Sequence, residues 1–271
     1  GLVTKSRKRG SHRIKRDRAH LPGVMIHQDG SRHEWVPGCQ WDLIVTMDDA
    51  TGEHYSMFFV DEEGTDSSFQ GVRDVILQRG LFSSFYSDRG SHYWYTPKEG
   101  GTVSKTQLTQ FGRAMKQLGI LMIPAYSPEA RGRSERAFGT HQDRLVKEPA
   151  LQGIRDIHAA NHYLEQVYRP NYNAEFMQPA PEEGTAFVPW AGDNLDDILC
   201  YQEERTVRAD NCVSFDGKLL QIPRDQYRCH YVRVKVRVHR YIDGTLALFH
   251  GPRKLADYDA QGTLKNRTKA A

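Results

Sequence analysis

The sequence predicts an α/β fold: a mixed five-stranded sheet flanked by helices, followed by a small all-β, barrel-like unit. Three patterns carry that expectation. Short apolar runs separated by Gly-containing turns fill residues 24–60. Apolar residues at helical spacing then alternate with two more short strands as far as residue 168, and past residue 196 only strand-like patterns remain.

The first strand is expected at 24–28, ending at Asp29-Gly30, and the second at 41–47, ending in the turn signal Asp48-Asp49-Ala50-Thr51-Gly52. The third, 54–60, stops before Asp61-Glu62-Glu63-Gly64. Phe69, Val72, Ile76 and Leu77 lie near helical spacing, with Gly80 as the stop. A fourth strand at 82–87 leads into Asp88-Arg89-Gly90, and the polar stretch 91–104, with Pro97 and Gly100-Gly101, is expected to be a loop. Leu108, Phe111, Met115 and Leu118 mark the next helix, closed by Gly119. The fifth strand covers 120–125, interrupted by Pro124. Helices are expected from Ala130 and over 154–168, with a linker at 170–192. The clearest strand is 232–238, which alternates Val with Arg or Lys. The expected divisions are a basic arm (1–20), a core (21–190), a barrel (196–255) and a polar tail (256–271).

Composition narrows the function classes. With 38% hydrophobic and 26% charged residues over 271, the chain reads as globular, and no apolar run reaches the length of a membrane span. The polar N-terminus has no signal-peptide stretch. The four cysteines form no C-x-x-C pair, which disfavours a disulfide framework or a cysteine zinc site and fits a reducing cytoplasm. The net charge of +3 hides an asymmetry, because eight Lys or Arg against Asp17 give residues 1–20 a charge of +7 and leave the rest at −4. A basic arm on a mildly acidic body suits a polyanionic partner; a solvated tail is the bland alternative.

Three acids stand where elements end or begin: Asp29, Asp88 and Glu135. Singly, each has an ordinary explanation as a turn residue or a helix N-terminal acid. Glu135 precedes Phe138 by three residues, about 60° off the stripe formed with His141 and Leu145, so it borders the face packed on the sheet. If the first and fourth strands are neighbours, the three carboxylates converge, and their mutual repulsion calls for cations between them. Hard oxygen donors of this kind suit Mg²⁺, and a pair of such ions serves phosphoryl transfer. Asp48 and Asp49 are an alternative to Asp29, and Asp42 is a weaker one. His92 and His141 receive no role.

The elements M-I-H-Q-D-G-S (25–31), T-M-D-D-A-T-G (46–52), Y-S-D-R-G-S (86–91) and S-P-E-A-R-G-R-S-E-R-A-F (127–138) resemble the catalytic core of bacterial insertion-sequence transposases, relatives of retroviral integrases. The resemblance covers residues 24–190. It implies an RNase H-like fold in which Asp29, Asp88 and Glu135 are the catalytic acids, holding two Mg²⁺ (or Mn²⁺) ions. It further implies cleavage of double-stranded DNA at transposon ends and strand transfer into target DNA, by a homo-oligomer on DNA in the cytoplasm, at the nucleoid. A nuclease of the same fold, or a silent DNA-binding remnant, is the alternative. Arg89 stands where many relatives have Asn, and the 46 residues between Asp88 and Glu135 exceed the usual spacing. No helix-turn-helix pattern precedes residue 20, so a fragment or a shortened form is expected.

Five further basic positions complete the candidate DNA-binding set around Arg131. Arg133 and Arg136 surround Glu135 with it, against the alternative of a solvated helix face. Arg233, Lys235 and Arg237 share one face of the 232–238 strand, either as a track for DNA phosphates or as protection of a sheet edge.

Overall fold

A computed structural model describes residues 17–98, 101–104, 106–126, 132–148, 151, 153–192 and 194–265. Its central sheet is built from β1 (Met25–Val36), β2 (Cys39–Asp48), β3 (His54–Val60), β4 (Ser84–Ser87) and β5 (Leu121–Pro124) in the order β3-β2-β1-β4-β5. β1, β2 and β3 pair antiparallel, while β4 runs parallel to both β1 and β5. The sheet is mixed and five-stranded, as expected. Pro124 is accommodated because β5 is an edge strand, where one missing N–H breaks no internal ladder.

Among the described residues five helices cover the sheet: α1 (Thr65–Arg79), α2 (Gln110–Leu118), α3 (Gly132–Arg144), α4 (Ile157–Tyr163) and α5 (Arg169–Phe176). On one face Phe69, Val72 and Val75 of α1 and Phe111 and Met115 of α2 pack on Ile26 and Phe85. On the other, Ala137 and Phe138 of α3 join Leu164, Tyr168 and Tyr172 against Leu43, Val45, Met57 and Phe59. α2 closes at Gly119, whose φ of 74° is the left-handed conformation glycine adopts without strain.

Four sequence expectations need correction. β1 does not end at Asp29-Gly30 but runs through them to Val36, with the turn at Pro37-Gly38. A Cβ at Gly30 would meet the Glu63 carboxylate, the movable end of a flexible side chain. The loop at 91–104 is not merely polar, because Tyr93, Trp94 and Val103 are buried in the α1/α2 core. The expected linker begins with helix: a π-turn at Leu164–Tyr168 carries α4 into α5, and this wider turn accommodates Pro170. Finally, the strand expected at 232–238 is shifted. β9 spans Lys235–Arg240, and Arg233 lies before it in a turn with φ of 60°.

The C-terminal unit comprises β6 (Tyr201–Thr206), the hairpin β7 (Cys212–Phe215) and β8 (Lys218–Gln221), then β9, β10 (Leu246–His250) and β11 (Arg253–Tyr258). β11-β10-β9-β6 form one sheet, and a core of Val213, Leu220, Val236, Val238, Leu248 and Tyr258 joins it to the hairpin. The buried Tyr258 carries this unit past the expected limit at 255. The unit rests on α1 and α2: Arg240 pairs with Asp66 at 2.9 Å, and Arg113 donates to the Cys200 carbonyl at 2.6 Å. It therefore lies across the sheet from α3. No helix among the described residues is long and apolar enough to cross a membrane.

Candidate active site

Parallel pairing of β1 with β4 sets two of the candidate acids level. The register matches Met25 with Ser84, Ile26 with Phe85 and His27 with Tyr86, so Asp29 and Asp88 each stand two residues beyond the last matched pair. Asp29 faces Val45 across β1 and β2, and directly opposite residues share a sheet face. Val45 belongs to the core packed under α3. The helix is tied to β1 at Gln142, which donates to Ser31 Oγ at 3.1 Å, and its first turn is tied down by the Arg133–Asp49 ion pair. Glu135 thus lies on a fixed helix over the face that carries Asp29.

Each aspartate is oriented locally. Asp29 Oδ1 accepts the Gly30 amide at 3.1 Å and Asp88 Oδ1 accepts the Gly90 amide at 2.9 Å. Asp29 is almost buried, Asp88 half-buried and Glu135 exposed. The charges of Asp29 and Asp88 reach Tyr93, whose hydroxyl donates to Gln28 Oε1 at 2.9 Å. Burial raises its pKa well above the ordinary value, and the negative charges of Glu63, Asp29 and Asp88 add to the rise. Among the described residues no group of three or more His, Cys, Asp or Glu side chains is placed to hold a metal ion. The register sets Asp29 and Asp88 at one level, and Glu135 is on the helix packed over the face that carries Asp29. All three are hard oxygen donors, the type Mg²⁺ takes.

Sequence comparisons bear on what such a site is for. A putative transposase of Sinorhizobium fredii (strain NBRC 101917 / NGR234), y4bF, is 32% identical over 252 residues, covering 91% of this chain and 54% of that protein. The transposase for insertion sequence IS1202 of Streptococcus pneumoniae is 27% identical over 236 residues, covering 86% of this chain and 50% of that protein. The chain is transposase-like. It spans about half the length of the curated relatives it matches. No family model matches it. Among solved structures, the BIV integrase catalytic core aligns with 54% of this chain and 85% of its own, at 17% identity and a TM-score of 0.38.

The other candidate acids of this transposase-like chain have structural work. Asp48, fully buried, accepts the amides of Gly23 and Thr51, each at 2.9 Å, and the Thr51 hydroxyl at 3.1 Å. Asp49 accepts from His27, at 2.7 Å, and from Arg133 through Oδ1, and from the Ala19 amide through Oδ2 at 2.7 Å. Burial opposes its ionisation, yet the His27 hydrogen bond and the positive groups hold it well below the usual carboxylate range. Asp42 accepts the Glu63 amide at 2.7 Å and pairs with Arg32 at 3.4 Å.

The basic candidates divide. Arg133 is partnered by Asp49, Arg136 is exposed with Nε on the Gly132 carbonyl at 2.8 Å, and Arg131 lies outside the described residues. Lys235 pairs with Glu204 at 2.6 Å, and Arg237 is exposed opposite that same residue. Arg233, in its turn, does not share their strand face. Arg89 is a fastener: Nη1 donates to the Gly101 carbonyl at 2.7 Å, and the guanidinium lies 5.2 Å over the Tyr126 ring. Sequence reasoning missed Glu63, which faces His92 at 3.4 Å and abuts Gly30. A lone acid before a helix carries no signal of its own.

Proposed function

We propose that this chain carries the catalytic core of a DDE-type transposase, cutting DNA at transposon ends and joining the freed ends to target DNA. One observation supports the reading above the rest: β1 and β4 are parallel neighbours, which sets Asp29 level with Asp88 just past the end of β4, and α3, which carries Glu135, packs on the sheet face that bears Asp29. In this reading the three acids hold two Mg²⁺ or Mn²⁺ ions, which when bound supply charge stabilisation to the attacking and leaving oxygens. The Gly30 and Gly90 amides keep both aspartate carboxylates in one rotamer. In the first step water oxygen bonds to phosphorus, the bond to the 3′-oxygen breaks, and that oxygen takes a proton. In the second the 3′-hydroxyl loses its proton, attacks a target phosphodiester and displaces another 3′-oxygen.

The ligand proposed is double-stranded DNA, held at phosphates by Arg131, Arg133 and Arg136, and by Arg237 with Lys235 and Arg233 on the barrel. Two ends joined to one target call for two sites, hence a homo-oligomer on DNA, working in the cytoplasm at the nucleoid. The test is incubation of the full chain with Mg²⁺ or Mn²⁺ and labelled duplexes carrying the element's end sequence. Joined products that vanish in Asp29→Asn, Asp88→Asn and Glu135→Gln are expected. Cut but unjoined products would replace the reading with a nuclease of the same fold, and binding without either product would leave a silent remnant.

A further inference from the structure

Beside the acids, on the far flank of the first turns of α3, lies a cavity of about 200 Å³. Arg18, Arg133 and Arg136 line it together with Thr140, Tyr172 and Phe176. Three arginines therefore line one space, Arg133 already paired with the buried Asp49, and no carboxylate is among its lining residues.

The arginines come together through the 48–52 turn. Arg18 Nη1 donates to the Ala50 carbonyl at 2.9 Å, and the Ala19 amide donates to Asp49 Oδ2 at 2.7 Å, which stitches residues 18–19 to that turn. Asp49 also anchors Arg133 from α3. Arg136 is one helical step further along the same flank, at i+3. Among the described residues its guanidinium makes one hydrogen bond, from Nε, which leaves the fork-shaped outer end of the group toward the cavity. The sequence before Asp17 carries seven further Lys or Arg, so the cavity is covalently continuous with the most basic segment of the chain.

We propose that this cavity is a phosphodiester subsite for duplex DNA, joining the basic arm to the catalytic face. The proposal rests on the transposase reading above and adds a site to it. Guanidinium forks match phosphate oxygens in a bidentate way, and the rings of Tyr172 and Phe176 offer an apolar wall to the adjoining sugar. A phosphate held here lies against the helix that bears Glu135, so the subsite sets the register of the DNA relative to the acids. Arg18 and Arg136 are positioning residues: they bind the backbone at a distance from the reacting phosphate.

The test is the salt dependence of random-duplex binding to the full chain, measured with Ca²⁺ so that chemistry does not intervene. Arg18→Gln with Arg136→Gln should lower the slope of log K against log salt by about 1.8, or about 0.9 for each lost contact. Arg136→Lys should restore most of the slope of the single variant, and Lys116→Gln, an equal loss of charge on α2, should leave the slope unchanged. Thr140→Glu places a carboxylate in the cavity without touching the arm, and should weaken binding several-fold with the melting temperature preserved. It decides the matter if Arg18→Gln does not fold. Unchanged slope and affinity in these variants would overturn the subsite, whether or not the wild type joins DNA. Failure of the wild type to cut or join, with the slopes shifting as expected, would overturn the transposase reading and leave the phosphate subsite standing.

Discussion

The 48–52 turn and the level of the sheet carrying Asp29 and Asp88 both gather aspartates, and they hold them in different ways. Asp48 and Asp49 are completely buried, and besides the local Thr51 they draw partners from far along the chain: Gly23, His27, Ala19 and Arg133. Asp29 and Asp88 each take an amide from close by in sequence, Gly30 one residue on and Gly90 two residues on. Long-range bonds knit the fold and spend the carboxylate in doing so, because a buried acceptor must have its donors. A local amide sets only the rotamer. The contrast accords with the proposed reading, in which Asp48 and Asp49 are structural acids and Asp29 and Asp88 receive the cation.

The largest expected effect tests that division directly. Asp88→Asn or Glu135→Gln should reduce strand transfer by at least about 10³-fold while leaving the fold intact, since the charge that stabilises the transition state is lost. Without metal, these amide replacements should be neutral or slightly stabilising, because they relieve repulsion among the carboxylates. Asp48→Ala should do the reverse and lower stability by roughly 2–4 kcal/mol, by stranding the Gly23 and Thr51 donors in the interior. Denaturant melts read beside turnover per folded molecule distinguish the two. An Asp48→Ala protein that melts like wild type would erase the contrast.

Much of this was legible in the sequence, and the exceptions have physical causes. Period-two runs and glycine turns located the five core strands, and β3 agrees with its expected bounds at both ends. The continuation of β1 through Asp29-Gly30 was hidden because that dipeptide is a turn signal locally. What carries the strand on is its pairing with β2, Gly30 opposite Ile44 and Arg32 opposite Asp42, which no local window shows. Arg233 showed the opposite failure: perfect alternation ran into a turn set by contacts outside the window, its amide bonding to the Val207 carbonyl. The three acids were visible as a pattern, but their levelling required knowing that β1 and β4 are neighbours.

Metal should sharpen the same contrast at smaller amplitude. Mg²⁺ at ten times its dissociation constant should stabilise the wild type by about 1.4 kcal/mol through mass action on the folded state. The gain should be absent in Asp88→Asn and should persist in Glu53→Gln, a change outside the site. An equal gain in Asp88→Asn would move the cation elsewhere.

Titration offers a second structural element to set against the acids. Tyr168 can donate to His141 Nδ1 at 3.1 Å, His141 Nε2–H to His54 Nε2 at 3.0 Å, and His54 Nδ1–H to the Gly52 carbonyl at 3.0 Å. Every ring nitrogen is satisfied with both histidines neutral. Burial, with the nearby positive charge of Arg169, pushes His54 down to about 4; burial, then His54 and Arg144, push His141 well below its usual value. A folded-state pKa below the unfolded value of 6.5 means that the unfolded chain binds the proton more readily. Stability is therefore complete above about pH 6.5 and lost as pH falls toward 4, by roughly 3 kcal/mol for His54. His54→Asn should flatten that profile between pH 6.5 and 4.5, while Asp88→Asn should leave it unchanged. A profile equally steep in His54→Asn would remove the pair as its cause.

The smallest effect separates the two basic regions. The alternating Arg233, Lys235 and Arg237 suggested a track of three phosphate contacts, which would be worth nearly three units of salt slope. Structure reduces that expectation. Arg233 is turned off the strand, Lys235 is exposed but already paired with Glu204, and Arg237 is exposed opposite that glutamate. An exposed ion pair contributes little, but the cation in it must exchange Glu204 for a phosphate, which cancels part of any gain from DNA. Replacing all three with Gln should therefore lower the slope by about one unit at most, below the change expected from Arg18 and Arg136 together. Glu204→Gln should raise the slope slightly by releasing Lys235. A loss approaching three units in the triple variant would restore the full track and make the barrel, rather than the α3 flank, the main seat of phosphate binding.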